Sequence, residues 1–231
     1  MAFVTLDFET YYDKAYSLSK MTTEEYIRDD RFEVIGVGIK IDDEDAYWVS
    51  ENIAEELKKI DWANAAVLCH NTMFDGAILN WHYGVKPKAW LDTLCMARAI
   101  HGVDAGGSLK ALAERYALGE KGTEVLNALG KRHADFSAVD LHKYGSYCIN
   151  DVNLTRDLFD RIAQGFPRQE LKVIDITLRM FIEPTLELNL PLLEDHLETV
   201  KDKKAKLLAA AEADRESLMS NDKFAELLTR S

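Results

Sequence analysis

The sequence predicts an α/β domain followed by a purely helical extension, and three features carry that prediction. Short β-prone runs recur as far as Cys69, each bounded by turn residues. Helical periodicity then takes over, most clearly in Leu141, Tyr144, Cys148, Val152 and Phe159. Beyond Pro167 no strand pattern returns. With 231 residues, 47% of them hydrophobic, the chain has material for one substantial domain and an appendage.

The elements follow in order. Ala2 to Thr10 is an apolar strand interrupted only by Asp7 and Glu9, and a polar, aromatic loop from Tyr11 to Met21 follows it. Thr22 to Asp30 reads as a short helix, capped by Thr22 or Thr23, with Glu24 and Glu25 in its first turn. Phe32 to Lys40 is a second strand, Asp42 to Asp45 an acidic hairpin turn and Ala46 to Val49 a third strand, which makes a meander. Ile53 to Ile60 is an amphipathic helix, and Ala65 to Cys69 is a short buried strand. His70 to Leu79 is a strand-to-helix junction in which Asn71 or Thr72 caps the helix and Asp75 lies one turn inside it. Asp92 reads as a plain N-cap for a helix running to Arg98 and packing Leu94 and Cys95. Ser108 to Tyr116 is a further helix, Gly119 to Asp135 a polar and mobile stretch, and Ser137 to Asp140 a capping box opening a helix to about Ala163. Pro167 to Glu187 is one helix, broken by Leu190-Pro191-Leu192. Leu193 to Ser217 is a long amphipathic helix, with another segment from Ser220 to Leu228.

Composition narrows the function classes. Lys and Arg number 28 against 40 Asp and Glu, a formal charge of −12. That balance argues against coating a duplex, which is driven by phosphate neutralisation, but permits a grip on a few nucleotides through bound cations. No apolar run reaches the ~18 residues of a membrane span. The first strand begins at once, without a basic-then-apolar leader. Cys69, Cys95 and Cys148 are widely spaced in apolar segments and read as reduced core residues, so the expected location is cytoplasmic.

The carboxylates carry the chemistry. Side chains alternate along a strand, so Asp7 and Glu9 share one face while Leu6 and Phe8 occupy the other. Two anions held side by side in an apolar setting repel each other and lose hydration, and a hard divalent cation relieves both costs. An edge strand with a solvent face would carry the same pair, so the pair alone decides nothing. Asp75 at a helix start and Asp151 among Cys148, Ile149, Val152 and Leu154 are further acids in unusual places, and Tyr147 sits one turn before Asp151. Four carboxylates on three elements are the components of a two-metal phosphoryl-transfer site.

Asp7-x-Glu9, Asn71-x-x-x-Asp75 and Tyr147-x-x-x-Asp151 resemble, in order and spacing, the three motifs of the DEDD superfamily of 3′-5′ exonucleases. The tyrosine marks the DEDDy branch; the histidine branch would carry His five residues before the last Asp, where this chain has Ser146. The opening Asp7-Phe-Glu-Thr-Tyr-Tyr12 and the stretch Thr23 to Val37 resemble the proofreading domain of bacteriophage family A DNA polymerases. The resemblance covers residues 1 to about 165 and implies a ribonuclease H-like mixed sheet flanked by helices. It implies two Mg²⁺ ions, with Mn²⁺ as a substitute, about 3.5–4 Å apart. Asp7, Glu9 and Asp151 would bind one directly, and Asp7 would bridge to the second, which Asp75 reaches largely through water. Tyr147 is implied to orient the attacking water, since a phenol of pKa near ~10 stays protonated at pH 7. Thr10 and Asn71 are implied to position the terminal nucleotide, and Tyr11, Tyr12 or Phe74 to stack on or wedge bases.

Residues 166–231 resemble the start of the thumb region of the same polymerases, without palm or fingers motifs. The expected partners are therefore single-stranded or frayed DNA 3′ ends and a polymerase domain or polypeptide, with a monomeric chain and no membrane. Two rival readings remain: an RNA-trimming exonuclease similar to RNase D, and a non-catalytic docking module that kept the fold.

Overall fold

The computed structural model describes residues 1–119, 128–210 and 215–230. Its centre is a five-stranded mixed sheet of β1 (Ala2–Thr10), β2 (Val34–Ile41), β3 (Tyr47–Val49), β4 (Ala65–Cys69) and β5 (Ala89–Asp92), in the order β3-β2-β1-β4-β5. The meander is as expected, with β1 antiparallel to β2 and β2 to β3. Strands β4 and β5 then add parallel to β1 and to each other. β5 is a correction: the reading from sequence has no strand between Cys69 and the helix after Asp92. Four residues are too short for a visible period, and their parallel register on β4 is a tertiary fact.

Helix α6 (Ala138–Ile162) packs across β1, β2 and β3, and α3 (Thr72–Trp81) packs against β1, β4 and β5. Leu6, Phe8, Val37, Ile39, Val67 and Ile78 are among the buried side chains of the main core. A second cluster joins α4 (Thr93–His101), α5 (Leu109–Tyr116) and α6 through Met96, Leu112, Leu154 and Leu158. Leu94 and Cys95 are only half-buried; Met96 and Ala97 turn inward instead. Thr22 caps α1 (Thr23–Arg28) in a full capping box with Glu25, and Ser108 and Ser137 cap α5 and α6. Helix α2 is shorter than expected, Ile53–Leu57. Of the stretch expected to be mobile, residues 120–127 lie outside the described residues, and His133–Asp135 form a 3-10 turn.

Two compact units divide the chain, Met1–Pro184 and Thr185–Ser231. The first includes α7 (Arg168–Ile182), docked on β5 by polar contacts. Asp175 accepts the Trp90 N–H at 2.7 Å, Glu183 accepts the Trp90 indole N–H at 2.9 Å, and Arg179 bridges both acids. The helix stops earlier than the expected Glu187 because Glu183 precedes Pro184, and a residue before proline is steered out of helical dihedrals. The second unit holds α8 (Leu190–Ala210), α9 (Arg215–Met219) and α10 (Asn221–Arg230). Pro191 falls in the first turn of α8, where its missing N–H costs nothing, so it starts this helix rather than breaking one. Residues 211–214, within the expected long helix, lie outside the described residues. Among the described residues no helix is long and apolar enough to cross a membrane.

Candidate active site

Asp7 and Glu9 face α6 from the middle of the sheet. Their partners across β2 are Gly38 and Gly36; the missing side chain at Gly38 lets α6 approach closely, and the space over Gly36 is taken by the Trp48 ring. A Cβ placed on Gly38 would meet Cys148 Sγ at 2.8 Å and Val152 Cγ2 at 2.9 Å. The Cys148 thiol donates to the Asp7 carbonyl at 3.3 Å and lies 3.7 Å from its Oδ2. Asp7, Glu9 and Cys148 each offer a ligand atom within 4.8 Å of the others. Tyr144, 4% exposed, donates its hydroxyl to Glu9 Oε2 at 2.7 Å.

Two more acids join from flanking helices. The ladder between β1 and β4 ends at Thr5, and beyond it the Phe8 N–H donates to Asp75 Oδ1 at 2.9 Å. Asp75 is 2% exposed; burial, and then the charge of Asp7, push its carboxyl well above the usual range. Asp151 is buried on α6, one helical turn beyond Cys148. Burial raises the Cys148 thiol, and the nearby charges of Asp7, Glu9 and Asp151 raise it further. The thiol therefore stays protonated as a donor, and the ligand atoms facing the cleft are carboxylate oxygens. Such a set suits a hard divalent cation, whose charge would also offset the repulsion that raises Asp75.

The remaining predicted residues are placed as follows. Thr10 and Phe74 line a cavity of about 290 Å³ beside Glu9, shared with Tyr12, Leu18 and Tyr26. The Thr10 hydroxyl bonds that of Tyr26 at 2.8 Å, at a point where the β1–β2 register shifts between Glu9 and Thr10. Tyr147 is half-buried against a small cluster with Ile35 and Tyr144. Asn71 is exposed at the start of α3, outside the set lining that cavity. Tyr11 lies under the Arg132 guanidinium, 4.2 Å from its ring centre, and donates its hydroxyl to Asp13.

Asn71 occupies the N-cap position in a left-handed conformation (φ 75°), but neither it nor Thr72 caps with its side chain, contrary to expectation. Thr72 turns its hydroxyl to backbone carbonyls at Cys69 and Leu91. The cap comes from β5: Asp92, 1% exposed, accepts the N–H groups of Asn71 and Thr72 at 3.2 and 3.1 Å. It also accepts Leu94 at 2.8 Å and Cys95 at 3.3 Å, as expected for the cap of α4. One carboxylate thus holds two helix starts, including the one that carries Asp75. The sequence marks Asp92 only as a helix cap and places Tyr144 and Cys148 in the core; an acid in an apolar run is the signal for the first, and core periodicity conceals the other two.

Residues 4–165 match a family model described as 3′-5′ exonuclease. No curated protein sequence matches the chain. Among solved structures, NrnC of Brucella melitensis aligns with TM-score 0.57 at 16% identity, over 78% of this chain and 82% of that one. RNase D of Trypanosoma brucei aligns with TM-score 0.58 at 14% identity, over 78% and 65%. Both likenesses report the fold, the ribonuclease H-like arrangement expected from sequence. One NrnC structure holds Mg²⁺, another is bound to pGG, and an RNase D structure is in complex with RNA U12.

Proposed function

The chain belongs to the 3′-5′ exonuclease family, and on that premise we propose that it hydrolyses the 3′-terminal phosphodiester of DNA, as DEDDy proofreading exonucleases do, releasing nucleoside 5′-monophosphates. The observation carrying this reading is the convergence of Asp7 and Glu9 with a buried Asp75 and Asp151 around the close approach of α6 to β1. The DNA assignment rests on the sequence resemblance to polymerase proofreading domains. Residues 1–165 are assigned to the exonuclease and 166–231 to an extension resembling the start of a polymerase thumb, whose first helix α7 packs in the same compact unit as the sheet, and a polymerase polypeptide is the proposed partner.

Asp7, Glu9, Asp75 and Asp151 would hold two divalent ions, Mg²⁺ or in its place Mn²⁺, which when bound supply Lewis-acid activation and neutralise charge at the phosphate. Water adds across the terminal linkage, the P–O3′ bond breaks, and the departing oxygen takes up a proton. Tyr147 orients the attacking water by hydrogen bonding, and Tyr144 fixes the direction of Glu9. The cavity beside Glu9 admits the terminal nucleoside, with Thr10 at its polar wall and Phe74 at its aromatic one, and Asn71, exposed at the start of α3, contacts the strand outside that cavity. Recognition by stacking is sequence-tolerant, as removal of any 3′ end requires.

A second reading, RNA trimming, is favoured by RNase D with bound RNA U12 and NrnC with bound pGG. The deciding experiment offers 5′-labelled single-stranded DNA and RNA of one sequence to wild type and Asp151→Ala, with Mg²⁺, Mn²⁺ or EDTA. DNA shortening from the 3′ end, absent in EDTA and in the variant, is expected. Faster digestion of RNA keeps the site and overturns the substrate, and no digestion of either overturns the enzyme.

A further inference from the structure

A second cavity, of about 650 Å³, lies between α2 and the turn that follows α3. Tyr83 lines it and stacks on Phe8, with ring centres 5.9 Å apart and planes 8° from parallel. Phe8 also lines the cavity beside Glu9, but the two cavities have no lining residue in common. Its volume falls within the roughly 300–1,000 Å³ of small-molecule sites.

The lining combines two kinds of group. Leu57, Trp62, Tyr83 and Val85 supply apolar and aromatic surface, while Lys58 and Lys86 supply positive charge. Trp62 is fixed by its indole N–H to the Leu57 carbonyl at 2.8 Å, which holds its ring in place. The Tyr83 hydroxyl has no hydrogen-bond partner among the described residues, although burial raises its pKa. Lys86 makes no ion pair among them either. Lys58 bridges Glu55 at 2.9 Å, but both side chains are about 70% exposed, and such a pair exchanges readily for another anion. With Lys58 paired to Glu55, Lys86 is the cation of this lining that no acid offsets among the described residues.

We propose that this cavity is a second ligand site, taking a flat aromatic body that carries a phosphate: a nucleoside 5′-monophosphate. The rings of Trp62 and Tyr83 receive the base, and Lys86 with Lys58 receives the phosphate. The proposal does not depend on the nuclease reading, because the cavity shares no carboxylate with the other site.

Calorimetric titration of the full chain with AMP, in EDTA so that no cation at the carboxylates can hold phosphate, tests it. Saturable one-to-one binding is expected, weakened roughly tenfold by Lys86→Glu, one decade being a modest loss of affinity. Ala54→Trp, which fills the cavity from the exposed face of α2, is expected to abolish it, with melting curves confirming that both variants fold. Adenosine and inorganic phosphate, each offering half of the ligand, are expected to bind more weakly than AMP. Absence of saturable AMP binding, equal binding of phosphate alone, or affinity unchanged in both variants overturns the site.

Discussion

Gly38→Ala adds one methyl group at the point where α6 lies closest to the carboxylates. The new Cβ meets Cys148 Sγ at 2.8 Å and Val152 Cγ2 at 2.9 Å, against an ordinary separation of about 3.5–4.0 Å. The shortfall approaches ~1 Å, and neither neighbour is the end of a long side chain, so α6 itself has to move. Replacing glycine in a strand would otherwise stabilise by roughly 0.4–1 kcal/mol through the unfolded chain. Overpacking of this kind costs about 1–3 kcal/mol, so the clash wins. For a domain of this size the loss lowers the melting temperature by about 2–4 °C per kcal/mol. Helix α6 also carries Tyr144, Tyr147 and Asp151, and a displacement near 1 Å in a reacting geometry costs about 10²-fold in rate. Differential scanning fluorimetry and 3′-end shortening of a labelled strand read the two effects. Cys148→Ala removes one of the close atoms, so the double variant is expected to recover part of both losses. A Gly38→Ala protein that melts and digests like wild type would refute the close-approach argument.

Three further outcomes are expected. Asp92→Ala removes the cap of two helices, each worth about 0.5–2 kcal/mol, and its loss in urea unfolding should exceed that of the single-cap change Ser108→Ala; equal losses would sink the double-cap reading. Tyr144→Phe deprives Glu9 of its 2.7 Å donor and should weaken metal activation by about 10–100-fold, whereas Tyr147→Phe should lower turnover at an unchanged metal midpoint. If the two behave alike, the roles assigned to the tyrosines are wrong. Saturating Mn²⁺ at about 100 times its dissociation constant should stabilise the protein by about 2.7 kcal/mol, seen as a rise in melting temperature that EDTA reverses. Asp7→Asn should lose that rise and, with one repelling anion removed, melt no lower than wild type in EDTA.

The parts of this protein that were legible in its sequence are those set by local rules. The meander from β1 to β3 follows period-2 alternation, and the starts of α1, α5 and α6 follow from Thr22, Ser108 and Ser137. Alternation likewise put Asp7 and Glu9 on one face, where the structure has them beside Cys148. What escaped depends on partners distant in sequence. Strand β5 is four residues long and exists because Ala89 to Asp92 pairs with Ala66 to Cys69. The same pairing delivers Asp92 to the start of α3, a role no spacing rule around residue 92 encodes.

Tyr144 and Cys148 escaped for another reason, since helical periodicity assigns both to the core and both are indeed buried. A buried position on a helix facing two acids is nonetheless a polar environment, and a hydroxyl or thiol there serves as a donor. The signal that distinguishes the two situations lies on β2, in Gly36 and Gly38. Glycine weakens a strand and supplies no packing of its own, so a pair of them opposite two carboxylates is costly unless something must come near. At Gly38 the incoming group is α6, and at Gly36 it is the Trp48 ring, which also crowds Gly145 on α6. The glycines of β2, more than the apolar face of α6, therefore determine how closely Asp151 can approach Asp7.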